Sequence, residues 1–84
     1  MADTVTERIK RLIAEELDVS VPAGFAETTP LFRGGVEMDS FAVVELIALI
    51  EAHFGIEFEI EDIRPEHFTD VNSVARLVEA SLKH

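Results

Sequence analysis

The chain contains no cysteine, so neither a disulfide framework nor a thiolate metal site is open to it. Any thiol chemistry it takes part in has to be imported. Basic residues are scarce as well: 7 Lys and Arg stand against 17 Asp and Glu, for a net charge of −10. Residues 37–70 hold ten carboxylates and one cation, Arg64. A field of that sign repels nucleic-acid backbones and anionic membrane surfaces and steers toward proteins with basic patches. It also serves plain solubility, and composition alone leaves both readings open. No apolar run is long enough to cross a bilayer. The opening "MADTVTERIK" lacks the basic start and apolar centre of a secretion signal, which leaves a cytoplasmic protein with no membrane insertion as the expectation.

What is present suits one small domain. The chain has 84 residues, of which 48% are hydrophobic and spread along the whole length, enough for a modest single core over residues 1–84. Val5, Ile9, Leu12, Ile13 and Leu17 recur at the spacing of an amphipathic helix, with Asp3 or Thr4 able to cap its start. The following "DVSVPAGFAETTPLFRGGVEMD" has two prolines, three glycines and little period. It reads as a long ordered loop pinned to the core by Val21, Phe25, Leu31 and Phe32.

A second helix is expected from Asp39 or Ser40 to about His53, with Gly55 as its stop. Its apolar residues cover more than one stripe, so part of it is wrapped by the loop or kept for a partner. "IEFEIEDI" alternates like a strand but has no sheet to join, and an extended connector into a short helical turn near Glu61 to Arg64, ended by Pro65, is preferred. The last helix starts at the N-cap Asp70 and buries Val71, Val74, Ala75, Val78 and Leu82. The expected fold is all-α: a small four-helix bundle of three main helices and one short one, with the long loop between helices one and two.

Three chemistries can be weighed for this chain. Serine hydrolysis needs a base, an orienting acid and an oxyanion hole. "MDSFA" is not a G-x-S-x-G elbow, and the histidines His53, His67 and His84 lie at a helix end, in a loop and at the terminus. Calcium binding fails on spacing: counted from Glu57, loop positions 6 and 12 fall on Asp62 and Phe68 instead of Gly and Glu. No zinc spacing is present either. What remains is Ser40 as the substrate of another enzyme, at a helix start whose free N–H groups and dipole favour a phosphate. The competing reading is that Asp39 or Ser40 is simply an N-cap.

"DSF" followed by "VVELIALIEAHFGIEFEIEDI" resembles the D-S-L segment and following helix of the acyl carrier protein family, with the E-L pair Glu45–Leu46 and the closing Phe54–Gly55–Ile56. The likeness runs from "LF" at Leu31 and Phe32 through "PEHF" to "DVNSVARLVEASL", nearly the whole chain. It implies that Ser40 carries 4'-phosphopantetheine, placed there from coenzyme A by a Mg²⁺-dependent phosphopantetheinyl transferase with release of adenosine bisphosphate. The imported thiol would hold an acyl or aminoacyl group as a thioester, and the chain would be a carrier, not an enzyme.

Asp39, Phe41, Val44, Glu45 and Glu51 are the positions that the resemblance assigns to partners: the transferase, a loading enzyme and downstream synthases or transferases. Phe41 stands where the family usually has leucine and could peg helix two to the loop or contact partners, and Ala42 and Ala48 replace an acid and a larger apolar residue of fatty-acid carriers. "LFRGGVEMDSF" and "RPEHF" are similar to discrete carriers such as D-alanyl carriers and those of antibiotic and polyketide pathways. A stand-alone, monomeric carrier of a specialised pathway is therefore expected. The alternative is an acidic helical docking module without a prosthetic group. The six phenylalanines are all the aromatics. If they fill the core, a long acyl chain finds no cavity and a short or polar cargo swings free.

Overall fold

A computed structural model describes residues 4–83. The first helix, α1, spans Val5–Arg11 and runs on into one π-helical turn over Leu12–Glu16. Thr4 caps it, its hydroxyl accepting the Glu7 N–H at 3.1 Å; Asp3 lies outside the described residues. The π turn closes where Leu17 N–H donates to Leu12 O at 3.0 Å. Ordinary α winding would carry Leu17 about 140° round from Leu12. The wider turn brings it back toward the same side, so Ile9, Leu12, Ile13 and Leu17 are all buried.

The second helix, α2, spans Ser40–Phe54 and the third, α3, spans Val71–Leu82. Gly55 ends α2 at φ +66°, a left-handed position that glycine takes without a Cβ penalty. Asp70 starts α3 through a reciprocal box: Ser73 N–H donates to Asp70 Oδ1 at 2.9 Å and Asp70 N–H to Ser73 Oγ at 3.0 Å. That box satisfies Ser73, the one buried polar residue among those described. α1 packs mainly on α3, and α2 lies against the π turn. Ala42, Leu46 and Ile50, one per turn, form the buried stripe of α2.

Between α2 and α3 no α-helix forms among the described residues. The expected short helix is two 3-10 turns, Ile60–Asp62 and Pro65–Phe68, separated by Ile63 and Arg64. Pro65 opens the second turn instead of ending the first, because a fixed φ and a missing N–H suit the first helical position. The connector before them is extended, as expected, with Ile56 and Phe58 half-buried and Ile60 exposed.

Two expectations about burial change. Leu82 is 47% exposed in the mostly exposed last turn of α3, while Leu77 joins the core instead. The phenylalanines do not fill the centre: Phe68 alone is fully buried, Phe25, Phe32, Phe54 and Phe58 pack at the edge, and Phe41 stands in solvent.

The long loop is ordered by its own hydrogen bonds. Leu31 N–H reaches Thr69 O at 2.9 Å and Asn72 N–H reaches Glu27 O at 3.2 Å, tying it to the start of α3. Residues 30–38 close on themselves through Val36 N–H to Pro30 O, Glu37 N–H to Phe32 O and Met38 N–H to Leu31 O, each 2.9 Å. That knot buries Leu31, Val36 and Met38, the last two unforeseen, and delivers the chain to α2 in fixed register.

Candidate functional site at the start of α2

Asp39 has an extended backbone, φ −99° and ψ −178°, and its Oδ1 accepts the Ala42 N–H at 2.8 Å. It is the N-cap. Ser40 is the first helical residue, exposed, and its hydroxyl makes no hydrogen bond among the described residues. Of the two capping candidates it is the Asp39 carboxylate that caps, and the Ser40 hydroxyl beside it is left unbonded.

Beside Ser40 lies an open groove of about 530 Å³. One wall is α2, through Val43, Val44 and Ile47; the other is the 3-10 segment, through Ile63, Arg64 and Pro65. Phe32, Met38 and Phe68 also line it, and among the described residues Asp39, Ser40 and Arg64 are the only polar ones that do. A mostly apolar trough that meets a free hydroxyl at a helix N-terminus fits a group with a phosphate root and an apolar or neutral body. Among the described residues no histidine lines it. His53 sits at the far end of α2, edge-on to Phe54 at 5.4 Å, His67 lies in the second 3-10 turn, and His84 is outside the described residues. Ser40 therefore has no imidazole base within the groove.

The predicted partner positions divide. Phe41 is 87% and Val44 65% exposed, an apolar pair beside Ser40 with the exposed Glu45 next in sequence. Phe41 does not peg α2 to the loop. Glu51 is different: it is half-buried and its Oε2 accepts the Phe58 N–H at 2.9 Å, fastening the connector to α2. On the 3-10 segment Ile60 and Ile63 are exposed, and Ile63 lines the groove.

Sequence reasoning missed Met38, Phe32 and the 3-10 segment as parts of this site. The lone cation of an acidic stretch was the one available signal for Arg64. Away from the groove, Lys10 Nζ and Glu27 Oε2 lie 3.4 Å apart and join α1 to the loop. Glu27's carboxyl is held below its usual range, first by its own backbone amide and then by the Lys10 ammonium. No helix among the described residues is long and apolar enough to cross a membrane.

Residues 7–80 match the family described as the phosphopantetheine attachment site.

Proposed function

The chain belongs to the phosphopantetheine attachment family of acyl carrier proteins, whose members bear covalent 4'-phosphopantetheine, and on that premise we propose that Ser40 is its attachment residue. The observation that carries this is the division of labour at the start of α2. Asp39 satisfies the helix, and the Ser40 hydroxyl is exposed and unbonded. A transferase can approach it without breaking a cap.

Ser40 Oγ would attack the β-phosphorus of coenzyme A, losing its proton to the transferase, as the bond to the bridging oxygen breaks and adenosine bisphosphate leaves. When bound, the group supplies a thiol on a flexible arm that holds an acyl or aminoacyl chain as a thioester. The protein's own contribution is placement. α2 gives the phosphate free N–H groups and a positive dipole end, and the groove gives the arm and its cargo an apolar wall.

Domains of this family act as carriers served by a phosphopantetheinyl transferase and by biosynthetic enzymes. This chain we read as a single carrier domain over 1–84, cytoplasmic and monomeric, with no active site of its own. Phe41 and Val44 form the apolar centre of its docking face, and Asp39 and Glu45 the acidic rim that speeds encounter with basic partners. The "LFRGGVEMDSF" and "RPEHF" segments favour a discrete carrier of a specialised pathway, polyketide or nonribosomal peptide, over the fatty-acid housekeeping carrier. The groove beside Ser40 favours a cargo with an apolar body over one that only swings free. Family membership counts against a docking module without a prosthetic group.

The test is intact mass before and after incubation with coenzyme A, Mg²⁺ and a broad-specificity transferase, alongside Ser40→Ala. One phosphopantetheine gained by the wild type and none by the variant is expected. A folded wild type that gains nothing, or a variant that still gains it, refutes the assignment.

A further inference from the structure

Arg64 is the single Lys or Arg in residues 37–70, among ten carboxylates. An isolated cation in such company normally pairs with a neighbouring acid, and Glu61, Asp62 and Glu66 lie within three positions of it. It does not pair: its guanidinium makes no ion pair or side-chain hydrogen bond among the described residues. Asp62 is occupied elsewhere, its Oδ2 accepting the Glu59 N–H at 3.1 Å.

The backbone of Arg64 is fixed even though the residue is exposed. Its N–H donates to Asp62 O at 3.1 Å, and its own carbonyl accepts the His67 N–H at 3.0 Å. These bonds hold it extended between the two 3-10 turns, φ −127° and ψ 147°, on the wall of the groove that also contains Ser40. The remaining wall residues of that segment, Ile63 and Pro65, are apolar. A guanidinium beside such a surface is less screened than one in open water and presents a planar fork of donors suited to phosphate or carboxylate oxygens.

We propose that Arg64 contacts an oxyanion carried by whatever is attached through Ser40, either the phosphodiester at the root of the arm or a carboxylate on its cargo. This rests on Ser40 being the attachment residue. Arg64 is then a selectivity residue for charge in a groove that is otherwise selective only for apolar bulk. It offsets the repulsion that an acidic carrier would exert on an anionic cargo.

The test uses ¹⁵N-labelled full-length protein in four forms, each verified by intact mass: unmodified, phosphopantetheinylated with a free thiol, butyryl-loaded and succinyl-loaded. The readout is the Arg64 Nε–H resonance, assigned by its loss in Arg64→Gln, with the amide spectrum of that variant confirming its fold. A shift on phosphopantetheinylation, together with a changed ³¹P resonance in the holo form of the variant, identifies the phosphate as the anion. A shift that appears with succinyl and not with butyryl identifies a cargo carboxylate. Either supports the proposal. A resonance that stays put in all modified forms, or moves equally with butyryl and succinyl but not with the free thiol, overturns it and leaves the Ser40 assignment standing. Absence of any mass gain at Ser40 overturns both.

Discussion

Replacing Asp39 and Ser40 one at a time separates capping from attachment across a single peptide bond. Asp39→Ala removes the 2.8 Å bond from Ala42 N–H to Oδ1 and leaves that donor to water. Loss of an N-cap of this kind costs about 1 kcal/mol, within a range of roughly 0.5–2. In a domain of this size that lowers Tm by about 4–8 °C. Ser40→Ala removes a hydroxyl that bonds to nothing in the described residues, from the first helical position. Alanine is the better helix former by a few tenths of a kcal/mol, so Tm should hold or rise by about 1–3 °C. The assay is thermal unfolding of the unmodified proteins followed by circular dichroism at pH 7, with transferase-dependent mass gain measured on the same samples. Asp39→Ala is expected to be less stable but still modified, more slowly because its acidic contact with the transferase is gone. Ser40→Ala is expected to be fully stable and never modified. A Tm loss in Ser40→Ala equal to that in Asp39→Ala would show that the hydroxyl holds the helix, and the division of labour would be wrong.

Three further outcomes follow from the same geometry. Gly35→Ala drives a Cβ into the Pro30 carbonyl, 2.8 Å from its carbon, in the turn whose carbonyl also receives Val36 N–H; a loss of about 1–3 kcal/mol in urea unfolding is expected, with amide shifts reaching Ser40, and a neutral variant would mean that the turn is loose. Glu51→Ala should speed exchange of the Phe58 amide about fivefold, the equivalent of ~1 kcal/mol, whereas unchanged exchange would return Glu51 to a purely partner-facing role. Glu27 sits below its usual pKa in the folded protein, so its stabilisation is complete above the unfolded value and fades as pH falls through the lower folded one. Urea midpoints should therefore favour wild type over Glu27→Gln at pH 7 and converge in acid; a gap that persists at low pH would refute the linkage.

The three helices were legible because each combines a buried period with a terminal residue of definite chemistry: Thr4, Asp39, Gly55 and Asp70 cap as their types predict. Where the sequence offered two equivalent candidates, it was backbone conformation that chose between them. Asp and Ser cap equally well, and the extended φ and ψ at Asp39 decided for the carboxylate. Val36 and Met38 were invisible in a stretch without period, since their burial depends on how the 30–38 turn closes. The groove was equally hidden, because it is made by Phe32, Ile47 and Phe68 from three separated segments. Glu51 looked like one more surface acid, and only the return of the connector brings the Phe58 amide to it.

These unreadable parts converge on register. The Met38 N–H bond to Leu31 O and the close approach of Gly35 to Pro30 fix where the loop hands over to α2. Had the handover come one residue later, Ser40 would occupy the capping position and its oxygen would be drawn toward the N–H of the second or third helical residue. With the handover where it is, the carboxylate is spent on the helix and the unbonded hydroxyl belongs to a residue that lines the same groove as Arg64. The long loop between α1 and α2 is thus what leaves the Ser40 hydroxyl unbonded. Gly35→Ala should accordingly slow modification of Ser40 as well as destabilise the fold. Equal modification rates in wild type and a destabilised Gly35→Ala, measured by intact mass on protein shown to be folded, would refute that coupling.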